Sequence, residues 1–241
     1  MPCNTVLPMP SATTKLSALE GAVIRIEIDS MRMLVIPEWR DGPAALRLAA
    51  AGAAGIGELD AVLLGGGGGV WSGKREAGLP AARRVYASKP VAACLGGGAV
   101  GLAAYETGTL CRDGLTRLLV TATPAGSAGD AGIGFVLGSV RPGDLLYLPG
   151  VGVSPEGVTD VADRFAPRAV LLGATWFVRR CGPGSRDHDL AWMVARAFPD
   201  AVLLVGDGWP EAGRSPLAGR ARPDLAGRLT FFRKGRPLTI T

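Results

Sequence analysis

Hydrophobic positions alternate early in this chain and gather into short runs later. Val23, Ile24, Ile26 and Ile28 lie among Arg25, Glu27 and Asp29, a period of two that predicts a half-exposed strand. Met31 to Ile36 predicts a second strand, ended by Pro37, and the pair reads as a hairpin at a sheet edge. Residues 1–20 read as polar and irregular, and the alanine-rich stretch Ala44 to Ala54 as a short helix or a loop. Leu59 to Leu64 is an apolar run that predicts a buried strand, followed by five consecutive glycines. Glu76 to Arg84 predicts a short helix. Further strands are expected at Arg84 to Ala87, Leu118 to Thr123, Ile133 to Gly138, Asp144 to Leu148, Ala169 to Leu172 and Ala201 to Val205, with Leu229 to Phe232 the last. Two stretches carry helical spacing. Pro155 to Phe165 sets Val158, Val161, Ala162 and Phe165 on one face, and Asp187 to Phe198 starts at a capping aspartate. Strands come first, then strands alternating with helices, which predicts one α/β domain over residues 1–241.

Composition narrows the class. Of 241 residues 48% are hydrophobic, enough for a full core without staples, and 36 glycines point to many tight turns. Cys3, Cys94, Cys111 and Cys181 are scattered without a CxxC pair, so neither a zinc ribbon nor a dithiol motif is supported. Reduced thiols in a cytoplasmic protein are the expectation. Met1 to Ser17 has no charge before Lys15 and no long apolar run, so it does not read as a signal peptide. No stretch has the roughly 18 uninterrupted apolar residues of a membrane span. The formal charge is +5, and much of the excess lies in Arg214, Arg220, Arg222, Arg228, Arg233, Lys234 and Arg236. Apart from Phe231 and Phe232 that stretch lacks interleaved aromatics, and it has no reading motif, so a solvated basic face is favoured over a nucleic-acid surface.

Two glycine clusters are candidates for phosphate chemistry. Gly68 to Lys74 fits GxxxxGK after a strand, but Arg75 stands where a magnesium-binding Ser or Thr belongs. Gly78 and Pro80 interrupt the helix that should follow. Gly96 to Gly101 fits GxGxxG, yet no clear strand precedes it and no clean helix follows.

Five segments in order match known motifs. Asp60-Ala61-Val62-Leu63-Leu64-Gly65-Gly66 resembles DAVLLSH. Gly97 to Glu106 resembles GGNAVGLAPWE, and Thr121 to Ser127 resembles TATPARH. Leu146 to Gly152 resembles LYVSGDT, and Val202 to Trp209 resembles VPVHYEGW. With these motifs the chain resembles the metallo-β-lactamase superfamily, in its small-molecule hydrolase and lactonase-like branch, along roughly Val23 to Pro210. The resemblance implies an αββα sandwich of two mixed β-sheets flanked by helices. It also implies where metal ligands would stand. The two histidines of HxH fall on Gly66 and Gly68, and the next Asp and His on Val70 and Trp71. The third His falls on Ser127, the bridging Asp on Val151 and the last His on Val205. Glycine and valine side chains donate nothing to zinc, and a neutral serine is a poor ligand alone. The chain's one histidine, His188, lies far from these motifs in sequence. No metal and no cofactor are expected.

Exchanging histidine for glycine implies a larger, more apolar cleft, rimmed by Gly66, Gly68, Val70, Trp71, Val151 and Val205, with Trp176 at its mouth and Trp209 beside it. Such a cleft suits a hydrophobic small molecule, with self-association of the chain left open. The polar candidates are Asp207, Ser127, Glu106, Tyr105 and His188, each with a plainer reading. Asp207 is a general base or a turn residue in Gly-Asp-Gly-Trp, and Ser127 is a nucleophile or a remnant at a histidine position. Tyr105 and Glu106 are catalytic or structural, His188 is catalytic or a helix cap, and the two tryptophans Trp71 and Trp176 are pocket wall or core. The function expected is metal-independent acid/base chemistry, such as a cyclisation or isomerisation of a natural-product intermediate. The alternative is a non-catalytic ligand-binding or scaffold protein.

Overall fold

The computed structural model describes residues 13–19, 23–36, 57–65, 79, 81–114, 116–124, 133–149, 154–173, 193–207, 227–233 and 235–241. Fourteen described strands form two sheets. The first sheet contains β1 (Thr14–Ala18), β2 (Ile24–Ile28), β3 (Met31–Ile36), β4 (Leu59–Leu64), β5 (Ala82–Ser88), β6 (Ala99–Leu102) and β14 (Leu238–Ile240), in the order β14-β1-β2-β3-β4-β5-β6. The second contains β7 (Thr107–Arg112), β8 (Thr116–Pro124), β9 (Ile133–Gly138), β10 (Leu145–Leu148), β11 (Ala169–Leu172), β12 (Val202–Asp207) and β13 (Leu229–Arg233), in the order β13-β12-β11-β10-β9-β8-β7. Both sheets are mixed. β3 to β6 run parallel and β10 to β13 run parallel, while the other neighbours are antiparallel.

Three apolar layers hold this together. The inner one lies between the sheets and includes Ile26, Met33, Leu63, Phe135, Tyr147 and Leu204. A second covers the outer face of the first sheet under helix α1 (Lys89–Leu95), through Val62, Leu64, Ala92 and Leu95. The third covers the outer face of the second sheet under α2 (Pro155–Arg164) and α3, a short helix at residues 193–197. The layering is α-β-β-α. A strand covered on both faces has no solvent side, which is why Leu59 to Leu64 reads as one apolar run rather than an alternation. Asp60 is the exception in that run and is 2% exposed.

The amphipathic helix expected at Pro155 is α2. Ser154 caps it by accepting the Gly157 N–H at 3.1 Å, Pro155 takes the first position where no donor is needed, and Arg164 stands in the last turn. Of the second expected helix, residues 193–197 are helical and 187–192 lie outside the described residues, as does Ala44 to Ala54.

Four expectations are corrected. Residues 14–18 are not irregular: they form β1, whose alternate residues Thr14, Leu16 and Ala18 are buried. The β2–β3 hairpin is not at an edge, because β1 and β4 flank it. Residues 82–84 belong to strand β5, not to a helix, because they pair in parallel with β4. β13 is not the last strand, since β14 follows and closes onto β1. The GxGxxG segment follows helix α1 and opens strand β6, the reverse of the order a dinucleotide cradle needs.

Candidate functional site

The chain order of the strands brings one set of their ends together. β3 and β4 are parallel, and the N–H of Gly65 donates to the Ile36 carbonyl at 3.1 Å. Ile133, which pairs with Pro124 at the end of β8, donates its N–H to the Gly65 carbonyl at 3.0 Å. The exits of β4 and β8 therefore touch across the two sheets. β8 runs parallel to β10, because β9 is antiparallel to both. Gly173 at the exit of β11 donates to the Leu148 carbonyl of β10 at 3.0 Å. Near the end of β12, a Cβ on Gly206 would stand 3.0 Å from Ile24 Cδ1 of the first sheet. The segments that follow Ile36, Gly65, Pro124, Pro149, Gly173 and Asp207 thus leave from one rim of the sandwich.

The floor beneath the rim is tightly built. Tyr147 of β10 is fully buried, and a Cβ on Gly65 would stand 2.7 Å from its Cε1. Glycine is therefore required at the first of the five glycines by the aromatic ring under it. On β8, Thr123 is fully buried and its hydroxyl has no hydrogen-bond partner among the described residues. Gly134 lies across from it, where a Cβ would come within 2.5 Å of the Thr123 Oγ1. Neither Tyr147 nor Thr123 is marked in the sequence, where both read as ordinary strand residues.

Of the residues expected at the site, Gly66, Gly68, Val70, Trp71, Ser127, Val151, Trp176, His188 and Trp209 lie outside the described residues. Asp207 ends β12 at the rim, in register with Arg233. Val205 is 1% exposed and belongs to the outer layer with Val194, Ala195 and Phe198 of the α3 region, a core position two residues before the end of β12.

Tyr105 and Glu106 sit in the turn between β6 and β7, and both are engaged by the fold. The Tyr105 N–H donates to the Ala122 carbonyl at 2.7 Å, and its hydroxyl donates to the Asp160 carboxylate of α2. Arg164 lies 4.2 Å from the centre of the Tyr105 ring and pairs with Asp160 at 3.1 Å. Burial, with the Asp160 hydrogen bond next, pushes the Tyr105 phenol up to about 12, and the same bond holds Asp160 below the usual carboxylate range. Glu106 accepts the Ala103 N–H at 3.0 Å and pairs with Lys89 at 3.1 Å, and these hold its carboxyl below the usual range. Asp160 and Arg164 are visible in the sequence as an i,i+4 pair. Their link to Tyr105 spans 55 positions and no local pattern signals it.

The donor set at this rim does not fit a histidine-rich metal centre. Apart from Asp207 at the end of β12, the described strand exits offer Leu64-Gly65, Thr123-Pro124, Leu148-Pro149 and Leu172-Gly173, and the whole chain has one histidine. Among the described residues no group of three or more His, Cys, Asp or Glu is placed to hold a metal.

No protein-family model matches the sequence, and no curated protein does either. Solved structures do. A metallo-hydrolase from the hyperthermophilic archaeon Ignicoccus hospitalis superposes with a TM-score of 0.65 at 15% identity, covering 95% of this chain and 99% of the other. The chain has the metallo-β-lactamase fold. An isothiocyanate hydrolase from Delia radicum gut bacteria gives 0.59 at 15% identity, over 94% and 99% of the two chains. A diphosphatase of the PhnP family gives 0.50 at 11% identity, over 95% and 98%. At these identities the likeness is one of fold, and fold does not carry function.

Proposed function

We propose that this protein binds a hydrophobic small molecule at the strand-exit rim without a metal ion, and acts on it by acid/base chemistry. One observation supports the reading. The rim where the exits of β4, β8, β10, β11 and β12 converge continues into segments rich in Gly, Val and Trp, where the family resemblance implies histidines and aspartates. By that resemblance Trp71, Trp176 and Trp209 would supply apolar wall, and Gly66, Gly68, Val70 and Val151 would leave room. Asp207, carried at the rim by β12, is the proposed acid/base group, with Ser127 and His188 as further polar contacts. A cyclisation or isomerisation of a natural-product intermediate needs shape and a group that takes a proton from one atom and returns it to another, the role proposed for Asp207. A second reading, non-catalytic ligand binding, is favoured by the engagement of Tyr105 and Glu106 in the fold, which removes two groups from the catalytic inventory.

Elemental analysis of protein purified without chelator tests metal independence. Zinc, iron and manganese are expected far below one per chain, and a stoichiometric ion overturns the proposal. Nile red, a neutral apolar dye, reports the pocket: Trp71→Ala is expected to weaken its binding and Asp207→Asn to leave it intact. Once a substrate is found, loss of turnover in Asp207→Asn with retained dye binding identifies an enzyme.

A further inference from the structure

Ser88 ends β5 and stands just before α1, where a serine ordinarily caps the helix through its side chain. This one does not. Pro90 removes one of the amides a cap would bond, and the Ser88 hydroxyl accepts none of the others. Ser88 is 5% exposed, and its Oγ has no hydrogen-bond partner among the described residues. Alternation decides where that hydroxyl points. Tyr86, two residues earlier, and Leu102, its partner on β6, both lie in the inner layer between the sheets. Ser88 therefore faces the same layer. Helix α1 packs on the other face, through Ala92 and Leu95 with Val62 and Leu64. β4 and β5 run parallel with Leu63 opposite Tyr86, so Gly65 and Ser88 lie at one level, each two residues nearer the rim. Tyr147 of the second sheet reaches that level, since a Cβ on Gly65 would stand 3.3 Å from its Oη. Among the described serines and threonines, the buried hydroxyls left without a partner are Ser88 and Thr123, and both stand at the rim ends of their strands.

A buried hydroxyl that bonds to nothing lowers stability, and no contact of the fold explains a serine at this position. Such a group is complementary to a ligand atom that accepts a hydrogen bond. Its neighbours in the inner layer, Tyr86 and Leu102, are uncharged, and Lys89 beside it is exposed and paired with Glu106. A carboxylate or phosphate would thus be buried without a counter-charge, whereas a neutral carbonyl oxygen needs none. We infer that Ser88 holds a neutral carbonyl oxygen of the ligand at the rim, which makes a hydrophobic ketone, ester or related carbonyl compound the class this site selects. The inference rests on the rim site proposed above and names the functional group its occupant carries.

The test uses Prodan, a neutral naphthyl ketone whose emission moves to longer wavelength when its carbonyl accepts a hydrogen bond. With the full chain it should bind saturably, displace Nile red and show the long-wavelength emission. Ser88→Ala should weaken Prodan binding by about threefold to tenfold, the worth of one neutral hydrogen bond, and move its emission to shorter wavelength. The hydrocarbon 2-isopropenylnaphthalene, which lacks the oxygen, should compete with equal affinity in both proteins. The ligand-free melting midpoint of Ser88→Ala should be unchanged or higher, because the variant removes an unsatisfied buried group. If Nile red binds and Prodan does not, or if Prodan affinity and emission are the same in both proteins, this inference alone fails. If neither dye binds, the rim reading fails and this inference with it. A clear fall in the ligand-free midpoint marks a structural hydroxyl and also overturns the inference.

Discussion

Tyr105 holds φ at 66°, a left-handed conformation that costs a non-glycine residue of order 1 kcal/mol. Its surroundings offset that strain through the Ala122 carbonyl, the Asp160 carboxylate and the Arg164 guanidinium over the ring. Because the folded phenol is raised above its unfolded value, its contribution is complete below about pH 10. It is lost as pH rises toward about 12. Ultraviolet titration of the three tyrosines should therefore show a phenol ionising near pH 12 that is missing in Tyr105→Phe. The same variant should lose about 0.5–1.5 kcal/mol at neutral pH. If its alkaline unfolding curve matches the parent's, the hydroxyl is not a tie between the β6–β7 turn and α2.

At the scale of elements, α3 shows how a stretch read as a charged surface is used inside the fold. Arg228, from the basic C-terminal stretch, donates to the carbonyls of Ala195, Phe198 and Pro199 at the end of α3. Carbonyls at and just past a helix C-terminus lack i+4 partners and face the negative dipole end, so a planar, multiply donating cation fits them well. Arg228→Ala should cost about 1.5–3 kcal/mol. Amide exchange should rise across residues 193–201, and Arg228→Lys should restore only part of the protection. The periodicity of α2 was legible because its apolar face packs directly on a sheet. β6, β7 and α1 were not, because β6 and β7 are short and broken by a glycine each, and α1 is one short run of small residues.

At the scale of the molecule, the end opposite the rim is closed by charge. Asp60, nearly inaccessible on β4, accepts the Arg32 N–H at 2.8 Å and lies 3.6 Å from Arg112 of β7 and 3.9 Å from Arg83 of β5. Arg112 also donates to the Ser30 carbonyl in the β2–β3 turn, so one carboxylate links the two sheets. Asp60→Ala removes both the acceptor and the charge and should lower stability by about 1–3 kcal/mol, read as a shift in denaturant midpoint with unchanged slope. Asp60→Asn, which keeps an acceptor for Arg32, should cost less. Equal losses in the two variants would place the whole effect in the charge.

By itself the sequence determined the fold class and most of the strands, because a strand buried on both faces must be written as an apolar run and a capped amphipathic helix must carry its spacing. It also determined that a site of several histidines cannot exist, since one histidine cannot supply them. The tertiary structure alone decided where the motifs lie relative to one another. Only the pairing of Gly65 with Ile36 and Ile133 brings strand exits from both sheets to one rim. Only the packing of α2 joins Tyr105 to Asp160 and Arg164, and only the sheet order brings Arg112 of β7 to Asp60 of β4. Local pattern records what each residue needs from its immediate neighbours. These contacts join residues tens of positions apart, and their geometry is set by sheet order.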